Sequence, residues 1–134
     1  MLYVNGIIYS RMDKKSLENF IEYNFGGIIK DSPWEKYPEH LVFRHADNKK
    51  WFALIFEASY ETLGIKKEGL VQIANFKCDP DFIDTITKKP GILPAYHMNK
   101  THWITVLLDG SAEDNDIKLL VDMSYALTNK KYTR

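Results

Sequence analysis

His97 and His102 stand five residues apart in the stretch YHMNKTHW, with Asn99, Lys100 and Trp103 beside them. Two imidazoles this close raise metal ligation first and acid–base chemistry second. The spacing speaks against a shared ligand set. On a helix, five residues turn the side chains about 140° apart, and on a strand an odd spacing sends them to opposite faces. No nearby cysteine or acid stands at ligand spacing to complete a tetrahedral site. The pair therefore reads as hydrogen-bonded structural histidines, and no metal or other cofactor is expected.

Cys78 is the single cysteine, which excludes an internal disulfide and any Cys-pair zinc site. It lies between an apolar strand and the helix cap of CDPDF, where a small thiol is usually buried. A thiol just ahead of a helix N-terminus can instead have its thiolate favoured. No serine sits in a nucleophile-elbow sequence, and Asp109-Gly110 reads as a turn. No catalytic residue is expected; a small-ligand or enzyme site, as the weakest alternative, would lie near Cys78 and His97.

Binding has more residues to work with. His97, Asn99, Lys100 and His102 offer polar atoms around Trp103, while Arg44, Lys49, Lys50, Lys66 and Lys67 fall at or near hairpin connections. Projecting basic hairpins can flank a DNA duplex, lysines touching phosphates and polar tips entering a groove. Against this, Lys plus Arg equals Asp plus Glu at 18 each. A binder that lives on phosphate contacts usually carries a basic excess, so the neutral balance leaves room only for a local basic face.

These residues need a scaffold, and 134 residues with 45% hydrophobic content suffice for one domain with its own core. The aromatic share of 13% is generous, and most of those rings are expected inside. No apolar run is long enough to span a bilayer and no leader opens the chain, so a cytoplasmic location without membrane contact is expected.

Asn5-Gly6 between LYV and IIYS predicts a hairpin. DKKSLENFIEYNFGG predicts a helix capped by Asp13, with Leu17, Phe20 and Ile21 as its stripe and Gly26-Gly27 as its stop. LVFRH, WFALIFEA and LVQIANFKC read as strands, the first two joined across residues 46–50. Asp79, Pro80 and the later Pro90-Gly91 punctuate a second helix. WITVLLDG is a further strand. A last helix is expected to open on the capping-box pattern SAED at Ser111, to bury Ile117, Leu120, Val121 and Leu127, and to end with Lys130 and Lys131. Strands joined by short turns predict an α+β fold, a mainly antiparallel sheet with helices packed on one face. Without βαβ alternation or a phosphate-cradling glycine loop, dinucleotide and P-loop folds lack support.

The C-terminal half carries a family pattern. Pro94, the His97–Lys100 run, His102-Trp103, Thr105-Val106, Asp109–Ser111 and Ser124-Tyr125 together resemble the MmcQ/YjbR family of small bacterial proteins, and PWEKYP fits its front half. The resemblance covers roughly residues 14–131, leaving the opening hairpin (residues 1–12) as an extension to a single domain over 13–134. It implies a CyaY-like two-layer sandwich and a DNA-binding role tied to a "double-wing" arrangement of hairpins. It does not imply the iron chemistry of frataxin-type proteins, since the first helix mixes Lys14 and Lys15 with Glu18 and Glu22 and has no acidic ridge. Two partners follow as expectations: double-stranded DNA, met through the lysine-bearing hairpins and the His97–Trp103 loop, or a protein docked on the sheet or the opening hairpin. Trp103 is expected to be wedged between the sheet and the final helix, holding that loop rigid.

Overall fold

The computed structural model describes residues 11–129 together with the backbone of two short strands, β1 (Leu2–Val4) and β2 (Ile7–Tyr9). These pair antiparallel, Leu2 opposite Tyr9. Their Asn5-Gly6 turn, and the lysines expected to end the last helix, lie outside the described residues. The chain continues through α1 (Lys14–Asn24), β3 (Ile28–Asp31), β4 (Leu41–His45), β5 (Trp51–Ser59), β6 (Leu70–Lys77), α2 (Pro80–Ile86), β7 (Ile92–Pro94), β8 (Trp103–Leu107) and α3 (Asp114–Thr128). Strands β3 to β8 form one sheet in the order β3-β4-β5-β6-β8-β7, antiparallel at every pairing. The α+β reading holds. Strands β3 and β7, four and three residues long, escaped it because runs so short carry no clear alternation.

All three helices contribute to the core on one face of the sheet. Leu17 and Ile21 of α1, Ile86 of α2, and Ile117, Leu120 and Val121 of α3 meet Phe43, Phe52, Ile55, Phe76, Ile104 and Val106 of the strands. Asp13 caps α1 as predicted, its carboxylate accepting from the Ser16 backbone N–H at 2.9 Å. Asp79 caps α2 with Pro80 behind it. The capping box at Ser111 does not form. Helix α3 begins at Asp114 after Glu113, with no side-chain cap, because Ser111 is held in the preceding turn by Asp109 (Oγ to Oδ1, 2.5 Å). Its buried stripe also differs: Leu127 is half-buried, while Ser124 and Thr128 are buried.

Both hydroxyls are buried because each completes a backbone or ring contact. Pairing of β5 with β6 stops at Ala53 opposite Phe76. One residue on, Lys77 donates its backbone N–H to Ser124 Oγ (2.8 Å), and Ser124 Oγ donates to the Phe52 carbonyl (2.5 Å). A helix side chain thus satisfies the groups that a ladder bond would otherwise use. Thr128 Oγ1 donates to the Ser124 carbonyl at 2.7 Å and lies 2.8 Å from His45 Nε2, so the imidazole must donate through Nε2.

His45 is 3% exposed, and burial pushes its pKa down, with nearby Asp47 only partly offsetting that. A base whose folded pKa lies below its unfolded value binds its proton first in the unfolded chain. Stability is therefore full above the ordinary imidazole pKa of about 6.5 and falls as the pH drops below it. Urea denaturation between pH 7.5 and 5 should show that loss, at no more than about 1.4 kcal/mol per pH unit from one proton, and His45→Gln should flatten the slope.

Trp103 is not the predicted wedge. It pairs with Lys77 at the end of β8, next to Ile104, which points into the helix-side core. Alternation along the strand therefore sends its ring to the opposite face, where it is half-buried. The aromatic that ties the closing helix down is Tyr125. Its ring lies 5.3 Å from Phe52 and 4.8 Å from Phe25, and its hydroxyl donates to the Gly26 carbonyl at 2.9 Å. Trp103→Ala should accordingly cost less than about 2 kcal/mol in chemical denaturation, short of the roughly 3–5 kcal/mol for emptying a core aromatic site.

Gly91 shows how closely the start of β7 approaches the turn ahead of α3. Its φ is +74°, and an added Cβ would lie 2.6 Å from the Ala112 backbone nitrogen. Left-handed backbone alone costs a side chain roughly 1–2 kcal/mol, and the clash is with backbone that cannot step aside. Gly91→Ala should thus destabilise by about 2 kcal/mol or more on the same assay.

Candidate ligand-binding site

A β-bulge decides what the uncovered face of the sheet displays. Phe43 pairs with Ala53 but Arg44 pairs with Trp51, leaving Phe52 as an extra residue in β5. Phe52 and Ala53 consequently both enter the helix-side core. Trp51, which strict alternation would place beside Ala53, is re-aimed to the other face. There it joins Leu54 and Phe56, with Asn75 from β6.

Two loops wall this floor. Residues 32–40, between β3 and β4, bring Trp34, Tyr37 and His40; residues 95–102, between β7 and β8, bring Tyr96, His97 and Met98. Between them lies a cavity of about 510 Å³, within the usual range for small-molecule sites. The rings order one another. Trp34 meets Trp51 edge-on, centroids 5.8 Å apart at 74°. His40 stacks on Tyr37 at 4.8 Å and 7°, and Phe56 stacks with Tyr96 at 6.0 Å. Prolines at 33 and 38 and the Lys14 ammonium on the Glu39 carbonyl (2.8 Å) help to fix the first loop.

The second loop is held by polar bonds. Asn75, fully buried, donates to the Tyr96 carbonyl (2.9 Å) and accepts from Thr105 Oγ1 (2.5 Å), which in turn accepts from the Tyr96 N–H (2.8 Å). Asn99 Oδ1 accepts from the N–H groups of Thr101 and His102, and Lys100 Nζ donates to the Ala95 carbonyl at 2.7 Å. His97 has φ +61° and packs its ring on Tyr96 at 3.9 Å. The HMNKTHW stretch is thus a structural corner whose front edge, His97 and Met98, lines a pocket.

The basic residues do not gather. Arg44 is paired with Asp31 at 2.6 Å. Lys49, at φ 62°, donates to the Ala46 carbonyl at 2.7 Å, and Lys50 is exposed beside it. Lys66 and Lys67 are exposed on the loop after β5, with Lys67 Nζ 4.8 Å above the Tyr60 ring. The nine residues of β5 separate that loop from residues 46–50 by roughly 30 Å at ~3.3 Å per residue. His102 is exposed at the end of the 95–102 loop, next to β8, and does not line the cavity.

Cys78 belongs to the helix-side core and is 1% exposed, its thiol pushed up to about 11 by burial, with Asp79 adding to the shift. It is on the wrong side of the sheet to share a site with His97. Tyr60 donates to Asp109 at 2.7 Å, which raises the phenol to about 12. Burial would raise Asp109, but bonds from Ser111 and Tyr60 hold it below the usual carboxylate value. This is a turn clamp. Among the described residues, no three of His, Cys, Asp and Glu are grouped to hold a metal ion, and no helix is long and apolar enough to cross a membrane.

A family model described as YjbR matches residues 24–127. The chain belongs to the YjbR family. Among its relatives, uncharacterized protein YyaQ of Bacillus subtilis is 41% identical over 102 residues, 76% of this chain and 86% of that one. Uncharacterized protein YjbR of Escherichia coli is 40% identical over 52 residues, 38% of this chain and 44% of that one. A crystal structure from Pseudomonas syringae superposes with a TM-score of 0.83 at 41% identity, covering 88% of this chain and all of that one. A Deinococcus radiodurans crystal structure gives a TM-score of 0.66 at 25% identity, covering 92% of this chain and 83% of that one.

Every pocket residue of this YjbR-family chain falls within the matched span, and β1 and β2 fall outside it. Sequence reasoning named His97 but missed the other rings. One signal was present: SPWEKYPEH sets Trp34 and Tyr37 between two prolines, with His40 just beyond, in a segment too turn-rich for a core strand, so those rings had to lie over a surface.

Proposed function

We propose that this YjbR-family protein is a non-enzymatic binding module whose ligand site is the aromatic pocket on the uncovered sheet face. The carrying observation is the convergence of Trp34, Tyr37, Trp51, Phe56 and Tyr96 around one cavity. Tyr37 is left 56% exposed on a wall braced by two independent loops. Keeping so much aromatic surface in contact with water is costly unless a partner covers it. A lone buried thiol fits a reducing compartment, the cytoplasm.

Duplex binding receives less support from the geometry. Arg44, Lys49 and Lys100 are already engaged, and the two lysine-bearing tips sit at opposite ends of β5. A protein partner on the sheet would have to cover the same pocket.

Thermal denaturation of the full chain with a panel of cationic, neutral and anionic small molecules tests the proposal. At least one chemical class should raise the Tm of the wild type and not that of Trp51→Ala, as expected when a ligand binds only the folded pocket. A panel that moves neither protein, or both equally, would remove the pocket from consideration. Steep salt-sensitive binding to random duplex, reduced in a Lys66→Ala, Lys67→Ala protein, would restore the DNA role in its place.

A further inference from the structure

We infer that the pocket takes a small organic cation with a methylated ammonium head; this rests on the pocket being a ligand site. Shape comes first. Trp34 meets both Trp51 and His40 at 74°, so the faces form a corner. A flat ring system is best held between two parallel plates about 7 Å apart, and both stacked pairs here, Tyr37 on His40 at 4.8 Å and Phe56 with Tyr96 at 6.0 Å, are already closed on each other. A corner of π faces surrounds a compact, rounded head.

Charge comes second. Glu57 lines the cavity, and no lysine or arginine does so among the described residues. A phosphate or carboxylate would face ring quadrupoles with no lysine or arginine to offset them, and the nearest carboxylate, Glu57, accepts from Gln72 Nε2 at 3.2 Å at the cavity's edge. A cation finds rings and carboxylate attractive.

Hydrogen bonding then separates kinds of cation. A primary ammonium leaving water must replace three hydrogen bonds. Asn75 is engaged with Tyr96 and Thr105 and Glu57 with Gln72, so imidazole nitrogens and tyrosine hydroxyls would have to receive the three N–H groups at once. A fully methylated nitrogen has no N–H to satisfy and loses little by entering an aromatic wall. At about 510 Å³ the cavity exceeds what such a head alone needs, so the head carries a short tail that reaches the open side.

Calorimetric titration of the full chain at low salt and pH 8, above the ordinary imidazole range, tests this with three probes. These are choline, its neutral shape match 3,3-dimethylbutan-1-ol, and ethanolamine. Choline should bind at least about tenfold more tightly than either of the others. Trp51→Ala should cut choline affinity by about tenfold or more, and Glu57→Gln should weaken choline by roughly threefold without changing the alcohol. Equal affinities for choline and the alcohol would overturn the cation inference while leaving an apolar ligand pocket standing. No binding of choline would also overturn it, and the thermal panel would then decide whether the pocket takes another class.

Discussion

Phe52→Ala should lower the stability of the folded chain by about 3–5 kcal/mol, the usual cost of emptying a fully buried aromatic site. Phe52 has no exposed surface. Its ring touches Phe25, Phe43, His45 and Tyr125, with centroids between 5.1 and 6.3 Å away, so no single neighbour can collapse into the space. Its carbonyl also receives the Ser124 hydroxyl. Urea denaturation of the variant measures the loss, and a cost under about 1 kcal/mol would mean that the bulge does not seat this ring in the core.

Trp51→Ala, one residue away, should do the reverse. Trp51 is half-buried and faces the pocket, so its removal should cost less than about 2 kcal/mol of stability while reducing ligand affinity by about tenfold or more. The contrast between adjacent residues is the signature of the bulge. In a regular strand Trp51 and Ala53 would share a face and Phe52 would oppose them. Equal destabilisation by both substitutions would argue for a tryptophan that belongs to the core and against a ligand surface there.

That same bulge explains why the site was poorly legible in the sequence. Helix periodicity identified Leu17, Ile21, Ile117, Leu120 and Val121 as core because each obeys its element's period. WFALIFEA carries no mark that distinguishes Trp51 from Phe52; the extra residue is set by the pairing with β4, where Arg44 meets Trp51. The error over Trp103 has a similar origin. The step from loop to strand fixes which face a first strand residue takes, and a single-residue shift reverses it. Local chemistry was read more faithfully. The Asp13 and Asp79 caps formed because short-range hydrogen bonds need no distant partner. Ser111 failed as a cap for the same kind of reason: Asp109, two residues away, holds it first.

Family membership sharpens the meaning of the Ser124-Tyr125 pair, one of the motifs that carried the resemblance. Neither residue reaches the pocket. Ser124 bridges β5 to β6, and Tyr125 fastens α3 onto Phe25 and Phe52. They maintain the bulged end of the sheet from behind, which keeps Trp51 turned toward the loops in front.

The three tryptophans permit one direct test of the ligand pocket, because Trp34 and Trp51 line it and Trp103 does not. Indole N–H resonances of isotope-labelled protein, assigned by substituting each tryptophan with phenylalanine, can be followed while choline is added. The pocket predicts saturable shifts of the Trp34 and Trp51 signals with Trp103 unmoved. Shifts confined to Trp103, or none at any tryptophan while ligand binding is detected elsewhere, would contradict it.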